Sequence, residues 1–185
     1  GTNNPDVWEL FTLGEGEEVG AVEDVAVGDI NNDGYLDIVA ACELAHIIYF
    51  ENPIVNVKTQ KWQRLIPKIT LNRGSFIRVF TGDLNNDGQL EVIAANKGSQ
   101  TGKGENVTKK PVSYFEITGD PLDDASWKET VLKNVLVPIN SQPIDIDNDG
   151  DLDIIIGSRG EFKITLMENQ GTKNIQFSSH AIDIS

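Results

Sequence analysis

Apolar residues in this chain come in short runs separated by Gly, Pro, Asn and Asp. LDIVAAC, LEVIAAN and LDIIIGS are almost continuously apolar, IIYFEN, VSYFEI and ITLMEN run up to a Glu, and WELFTL, WQRLI and WKETVL open on a tryptophan. The runs are too short for ordinary helices and are rich in Val, Ile, Phe and Tyr, residues that suit a pleated surface. The residues between them favour turns, each through its own backbone preference. No stretch carries a convincing helical periodicity, so the pattern predicts an all-β chain.

Aligning the runs reveals a repeat. The tryptophan segments at Trp8, Trp62 and Trp127, with FSSHAIDI from Phe177 in the equivalent place, recur at intervals of 54, 65 and 50 residues. Between successive aromatics lie the same parts in the same order: an extended segment, an acidic loop, an apolar run and a run that reaches a Glu. Each repeat therefore predicts four short strands. The repeats span 8–61, 62–126 and 127–176, with 177–185 as the outer strand of a next unit, so both ends fall at unit boundaries. An insertion, NKGSQTGKGENVTKKP, between the second and third strands lengthens the middle interval. Tandem four-stranded units of this length are the signature of a β-propeller, whose blades pack face to face around an axis. Closed rings hold about 4 to 8 blades. Residues 1–185 are thus expected to form a single propeller unit of three blades. A ring of about seven would draw its remaining blades from a longer parent chain or from an assembly.

The acidic loops carry the chemistry. DINNDGYLD from Asp29, DLNNDGQLE from Asp83 and DIDNDGDLD from Asp145 place side-chain oxygens at positions 1, 3, 5 and 9 and glycine at position 6. Carboxylate, amide and carbonyl oxygens in such a loop can supply the roughly 6–8 ligands that Ca²⁺ takes at about 2.3–2.6 Å, and the glycine permits the sharp turn. Mg²⁺ demands a stricter octahedron and fits less well. In the first loop the expected ligands are Asp29, Asn31, Asp33 and Asp37 with the Tyr35 carbonyl. In the second they are Asp83, Asn85, Asp87 and Glu91 with the Gln89 carbonyl, and in the third Asp145, Asp147, Asp149 and Asp153 with the Asp151 carbonyl. Three calcium sites are expected on this reading. An EF-hand would need a bidentate Glu at position 12 and flanking helices, but that position holds Ala40, Ala94 and Ile156. A plain hairpin turn also favours Asp, Asn and Gly; the threefold repetition of the oxygen positions favours a cation.

Composition narrows the partners. The chain carries 29 Asp and Glu against 15 Lys and Arg, a net charge of -14, and eleven of the acids sit in the three loops. A nucleic-acid backbone or an anionic membrane surface is a poor partner for such a charge, and no apolar run approaches the length of a membrane span. Cys42 is the single cysteine, so no internal disulfide forms, and it reads as a small buried residue. His46 and His180 read as ordinary strand residues, and the tryptophans as packing between blades. GEGEEVG lacks the GK[ST] and the helix of a phosphate loop. No catalytic triad order or paired-His zinc motif is present, and Asn106 in NVT matches a glycosylation triplet.

The three loops and their surrounding strands resemble the FG-GAP or VCBS repeats of integrin α-subunit heads and of many secreted bacterial and fungal proteins. The match covers nearly the whole chain, and Glu91 is its one departure, an acid one methylene longer than the usual Asp. The resemblance implies that each calcium loop joins the first and second strands of a blade and that the ions clamp one rim. It also implies a protein or glycan ligand on the opposite face and an extracellular or secreted setting, where calcium is plentiful. The loops of that face would be Cys42 to His46, the insertion with Lys97, Lys103, Lys109 and Lys110, and Arg159 to Phe162. GEGEEVG, KITLNRG and KNVLVPINSQ would join them. The alternative is a carbohydrate-active enzyme, since some polysaccharide lyases and sugar dehydratases resemble this scaffold. Arg73, Lys97, Arg159 and His46 would then contact an acidic sugar.

Overall fold

The computed structural model describes residues 10–43, 46–98, 108–171 and 173–182. Trp8, Leu44, Ala45, Lys103 and Asn106 lie outside the described residues. The fold is all-β. The first sheet holds β1 (Val22–Gly28), β2 (Asp37–Cys42), β3 (Ile47–Glu51) and β4 (Gln63–Leu65). The second holds β5 (Phe76–Gly82), β6 (Glu91–Asn96), β7 (Lys110–Ile117) and β8 (Trp127–Val135), and the third β9 (Pro138–Ile144), β10 (Asp153–Ser158), β11 (Lys163–Asn169) and β12 (Phe177–Ala181). Each sheet is an antiparallel meander in chain order. Helical structure among the described residues is limited to three single turns of 3-10 helix.

The sheets begin one strand later than the repeat boundaries drawn at the aromatics. Gln63 pairs with Glu51, Trp127 with Ile117 and Phe177 with Asn169, so each aromatic segment closes the sheet whose acidic loop precedes it. Residues 177–181 accordingly belong to the third sheet rather than to a further unit. The physical reason is proximity: the Glu-bearing strand and the next aromatic segment are joined by a local connection and zip together, whereas Leu10 to Leu13 find no sheet edge and stay outside any strand.

The apolar runs of β2 and β6 are buried on both faces because each lies inside its sheet with packing on either side, whereas β10 keeps Ile155 and Gly157 half-exposed on its outer face. Every residue of β6 is buried, as are five of the six in β2. Between the first two sheets, Ala26, Val39, Ala41, Ile47 and Tyr49 meet Val79, Val92, Ala94, Phe115 and Trp127. Trp127 anchors this layer: its ring lies 6.3 Å from both Tyr49 and Phe115, and its Nε1–H donates to the Pro121 carbonyl at 2.9 Å. Between the second and third sheets, Ile93, Ala95, Val112 and Tyr114 meet Ile154, Ile156 and Met167. Trp62 is also buried, on the outer face of the first sheet with Phe50 and Cys42. The three acidic loops form the β1–β2, β5–β6 and β9–β10 connections, and β1 lies beside β5 and β5 beside β9.

Candidate metal loops

Each acidic loop is shaped by left-handed backbone at two fixed points. Position 4 is Asn in all three loops, with φ of 57° at Asn32, 55° at Asn86 and 64° at Asn148. Position 6 is glycine, with φ of 90°, 88° and 97°. Asn and Gly are the residues that reach this region at least cost. The chain thereby curls so that the side chains at positions 1, 3 and 5 meet backbone N–H groups further along. The position-6 N–H donates to the position-1 carboxylate in every loop, at 2.9 Å to Asp29, 2.8 Å to Asp83 and 3.2 Å to Asp145. The N–H groups of Tyr35, Gln89 and Asp151 donate to Asp33, Asp87 and Asp149 at 2.9, 2.8 and 2.9 Å.

The position-9 acids are more deeply buried than this ring. Asp37, Glu91 and Asp153 are buried, with exposures of 0, 3 and 2 %. Asp37 accepts from the N–H groups of Ile30 and Asn52 at 3.1 and 2.8 Å and from the Tyr49 hydroxyl at 3.0 Å. Asp153 accepts from Ile146 and Asn169 at 3.2 and 2.8 Å, and Glu91 from Leu84 at 2.8 Å. These carboxylates thus tie the start of each loop to the sheet. Burial pushes the Glu91 carboxyl up to about 7, with the Leu84 hydrogen bond pulling the other way and Asp87 and Asp83 adding repulsion. Burial likewise raises Asp37, against the bonds from Asn52, Tyr49 and Ile30.

The third loop differs from the other two in one consequential way. In the first two, the position-5 N–H donates to the position-1 Oδ1, at 3.0 Å for Asp33 to Asp29 and 3.1 Å for Asp87 to Asp83. There, too, the Asn31 and Asn85 amides donate to Asp33 and Asp87, each at 3.0 Å. In the third loop position 3 is Asp147, which has no amide proton to give, and Asp145 Oδ1 is buried with no hydrogen-bond partner. Asp145, Asp147 and Asp149 bring one carboxylate oxygen each within 4.8 Å of one another, the one such group among the described residues. Desolvation, followed by repulsion from Asp149, Asp153 and Asp145, raises the Asp147 carboxyl despite the Asp149 N–H bond. A divalent cation suits this donor set: hard oxygens, a surplus of negative charge, and an oxygen with nothing to bind. The carbonyls of Tyr35, Gln89 and Asp151 remain the position-7 donors expected of such loops.

Neighbouring loops are also joined, which the sequence reading did not foresee. Asn32 donates to Gln89 Oε1 at 3.0 Å, and Gln89 Nε2 donates to the Ile30 carbonyl at 2.6 Å. Asn86 donates to Asp151 Oδ1 at 2.6 Å. Position 4 of one loop thus grips position 7 of the next, and the recurrence of Asn at position 4 was the visible signal. Tyr49, Asn52 and Asn169 were missed because nothing local in the sequence marks them as partners of Asp37 and Asp153.

The cationic and imidazole candidates have internal partners. Arg73 donates to Glu129 at 2.6 Å and to the Ile69 carbonyl at 2.8 Å, and Lys97 pairs with Glu43. His46 is buried just before β3, with Nε2 at 2.8 Å from the Glu18 carbonyl, and His180 in β12 lies 2.7 Å from Glu168. Lys109 pairs with Glu161 at 3.0 Å, while Arg159 is exposed. Burial raises the Cys42 thiol to about 11, so it stays protonated and unreactive at neutral pH. No family model matches the chain, and no curated protein does either.

Two predictions follow from the carboxylates. Asp147→Asn gives the third loop the amide of the other two; it should stabilise the metal-free protein by about 1 kcal/mol and reduce the stabilisation gained from added calcium. Urea denaturation with chelator and with calcium reads both effects. The second concerns pH. Glu91 holds its proton more tightly when folded, at about 7 against an ordinary 4.5. The folded state therefore binds more protons between those values, and metal-free stability should fall by roughly 3 kcal/mol as pH rises through that window. Glu91→Gln, which keeps an oxygen for the Leu84 N–H, should flatten the urea midpoint between pH 5 and pH 7.5 relative to wild type; an equal slope would remove Glu91 as its source.

Proposed function

We propose that this chain is a calcium-binding β-propeller module of the FG-GAP or VCBS kind, serving recognition or adhesion outside the cell, with structural calcium ions and a protein or glycan ligand. The observation that carries the reading is the third loop, where three carboxylates converge and the buried Asp145 Oδ1 has no partner. Recurrence of the loop at the same corner of three sheets supports one ion per loop. A cation there offsets the repulsion among Asp145, Asp147 and Asp149 and binds the folded state in preference to the unfolded chain. The role is mechanical: it fixes the hairpin between the first two strands of each sheet and leaves the opposite loops to meet a ligand. Phe162, 93 % exposed at the β10–β11 turn beside exposed Arg159, gives that end an apolar and a cationic contact. Loops on a rigid sheet scaffold are where such contacts concentrate.

One experiment tests both parts. The protein is incubated with acidic and neutral polysaccharides and with extracellular-matrix proteins, with calcium and with chelator, while unfolding midpoint, retention and ultraviolet absorbance are followed. The expected result is a midpoint that rises with calcium, and calcium-dependent retention without time-dependent absorbance. A midpoint indifferent to calcium refutes the structural role of the ion, and accumulating unsaturated product replaces recognition with a lyase activity.

A further inference from the structure

Each junction between sheets carries two side-chain bonds at the acidic loops, and both grip the earlier loop. An amide of the later sheet donates to the position-2 carbonyl: Gln89 Nε2 to Ile30 at 2.6 Å in the first junction, and Asn169 Nδ2 to Leu84 at 2.7 Å in the second. In return the position-4 amide of the earlier loop donates to the position-7 side chain of the later one, Asn32 to Gln89 at 3.0 Å and Asn86 to Asp151 at 2.6 Å. The two bonds flank position 3, where Asn31 and Asn85 stand among the expected ligands. The second junction is the tighter one. Its acceptor is a carboxylate, and charge-assisted bonds are shorter and stronger than those between neutral amides. Asn169 also donates to the Leu152 carbonyl at 3.2 Å, and its N–H meets Asp153 at 2.8 Å. One buried residue therefore joins positions 8 and 9 of the third loop to position 2 of the second.

Position 7 thus has two tasks: its carbonyl is an expected ligand of its own loop, and its side chain anchors the loop before it. Resting on the calcium sites proposed above, we infer that the loops bind calcium with positive cooperativity and that Asn86 is the positioning residue that couples the third site to the second. The third loop has the most to gain from a cation, since three carboxylates converge there and Asp145 Oδ1 is buried without a partner. Ordering of that loop fixes Asp151 and, through it, Asn86. The second loop then has less freedom left to lose when its own ligands close. The coupling is reciprocal, so filling the second site tightens the third by the same factor. The neutral Asn32–Gln89 pair passes the restraint on to the first loop with a smaller factor. Repulsion between two bound cations would by itself make neighbouring sites oppose one another. Positive coupling therefore identifies the hydrogen-bonded link rather than the field.

The N–H groups of Gly34, Gly88 and Gly150 donate to the position-1 carboxylates, so each reports on its own loop. Calcium titration of chelator-stripped protein, followed by amide proton–nitrogen NMR, reads the three sites separately. Replacing Asp145 and Asp149 together by Asn removes the third site and should move the Gly88 midpoint to calcium concentrations at least about fivefold higher. In an Asn86→Gly background the same double replacement should move it by less than about twofold. Glycine keeps the left-handed backbone of this exposed position, φ 55°, and removes only the amide. The loss of two charges is common to both titrations, so their difference isolates the Asn86 bond. Asp151→Asn, which keeps an acceptor oxygen for Asn86, should preserve the fivefold effect. A Gly88 midpoint indifferent to loss of the third site overturns the coupling. So does a shift that is as large without the Asn86 amide, or one that disappears in Asp151→Asn. Glycine amides that ignore calcium at millimolar concentrations overturn the calcium sites themselves and the coupling with them.

Discussion

A buried carboxylate at the end of each acidic loop holds the loop to its sheet. Asp37 shows the arrangement most fully, taking hydrogen bonds from Ile30 at the start of the loop, from Asn52 just past β3 and from the Tyr49 hydroxyl across the sheet. A charge so buried is tolerable only while such donors surround it. The bonds join three consecutive parts of the meander at a single point. Asp153 repeats the arrangement with Ile146 and Asn169. Glu91 reaches Leu84, and Ile117 stands where the other sheets have Asn52 and Asn169. Positions 1, 3 and 5 are then free to curl over the loop centre.

What those positions do depends on a single atom type at position 3. An amide at Asn31 or Asn85 lets the loop satisfy itself, since its protons reach the neighbouring carboxylate. A carboxylate at Asp147 adds charge and removes the donor to position 5, and the Asp149 N–H, whose counterparts bind Asp29 and Asp83, bonds Asp147 in this loop while Asp145 Oδ1 stays buried without a partner. The first two loops can thus keep their shape without an ion, and the third gains most from one. Links between loops spread that local state: Asp151 receives Asn86, Gln89 receives Asn32, and both links cross from one sheet to the next. Ordering the third loop consequently restrains the second.

Much of the architecture was legible in the sequence because tandem repetition makes weak strand signals reinforce one another. Apolar runs ending in Cys42 and Asn96 became the doubly buried β2 and β6, the run ending in Ser158 became β10 with one face half-exposed, and each sheet holds all four strand types, the fourth supplied by the aromatic segment that follows. The grouping of strands into sheets was read one strand out of step, because periodicity has no intrinsic starting point; pairing of Gln63 with Glu51 and Phe177 with Asn169 decided it. At the loops, the oxygen positions were legible, but the separate task of Asp37, Glu91 and Asp153 was not. Its donors come from residues up to 16 positions away, brought near only by the meander. Equally, no pattern within one repeat could show Asn86 meeting Asp151, a contact that spans 65 positions.

The central claim is that the acidic loops are cation sites whose strength follows their carboxylates, and isothermal titration of calcium into chelator-stripped protein measures it directly. Three sites should appear, with the tightest lost on replacing Asp145 and Asp149 together by Asn while the other two persist. No calcium-dependent heat at millimolar concentrations, or a tightest site untouched by that double replacement, would contradict the account.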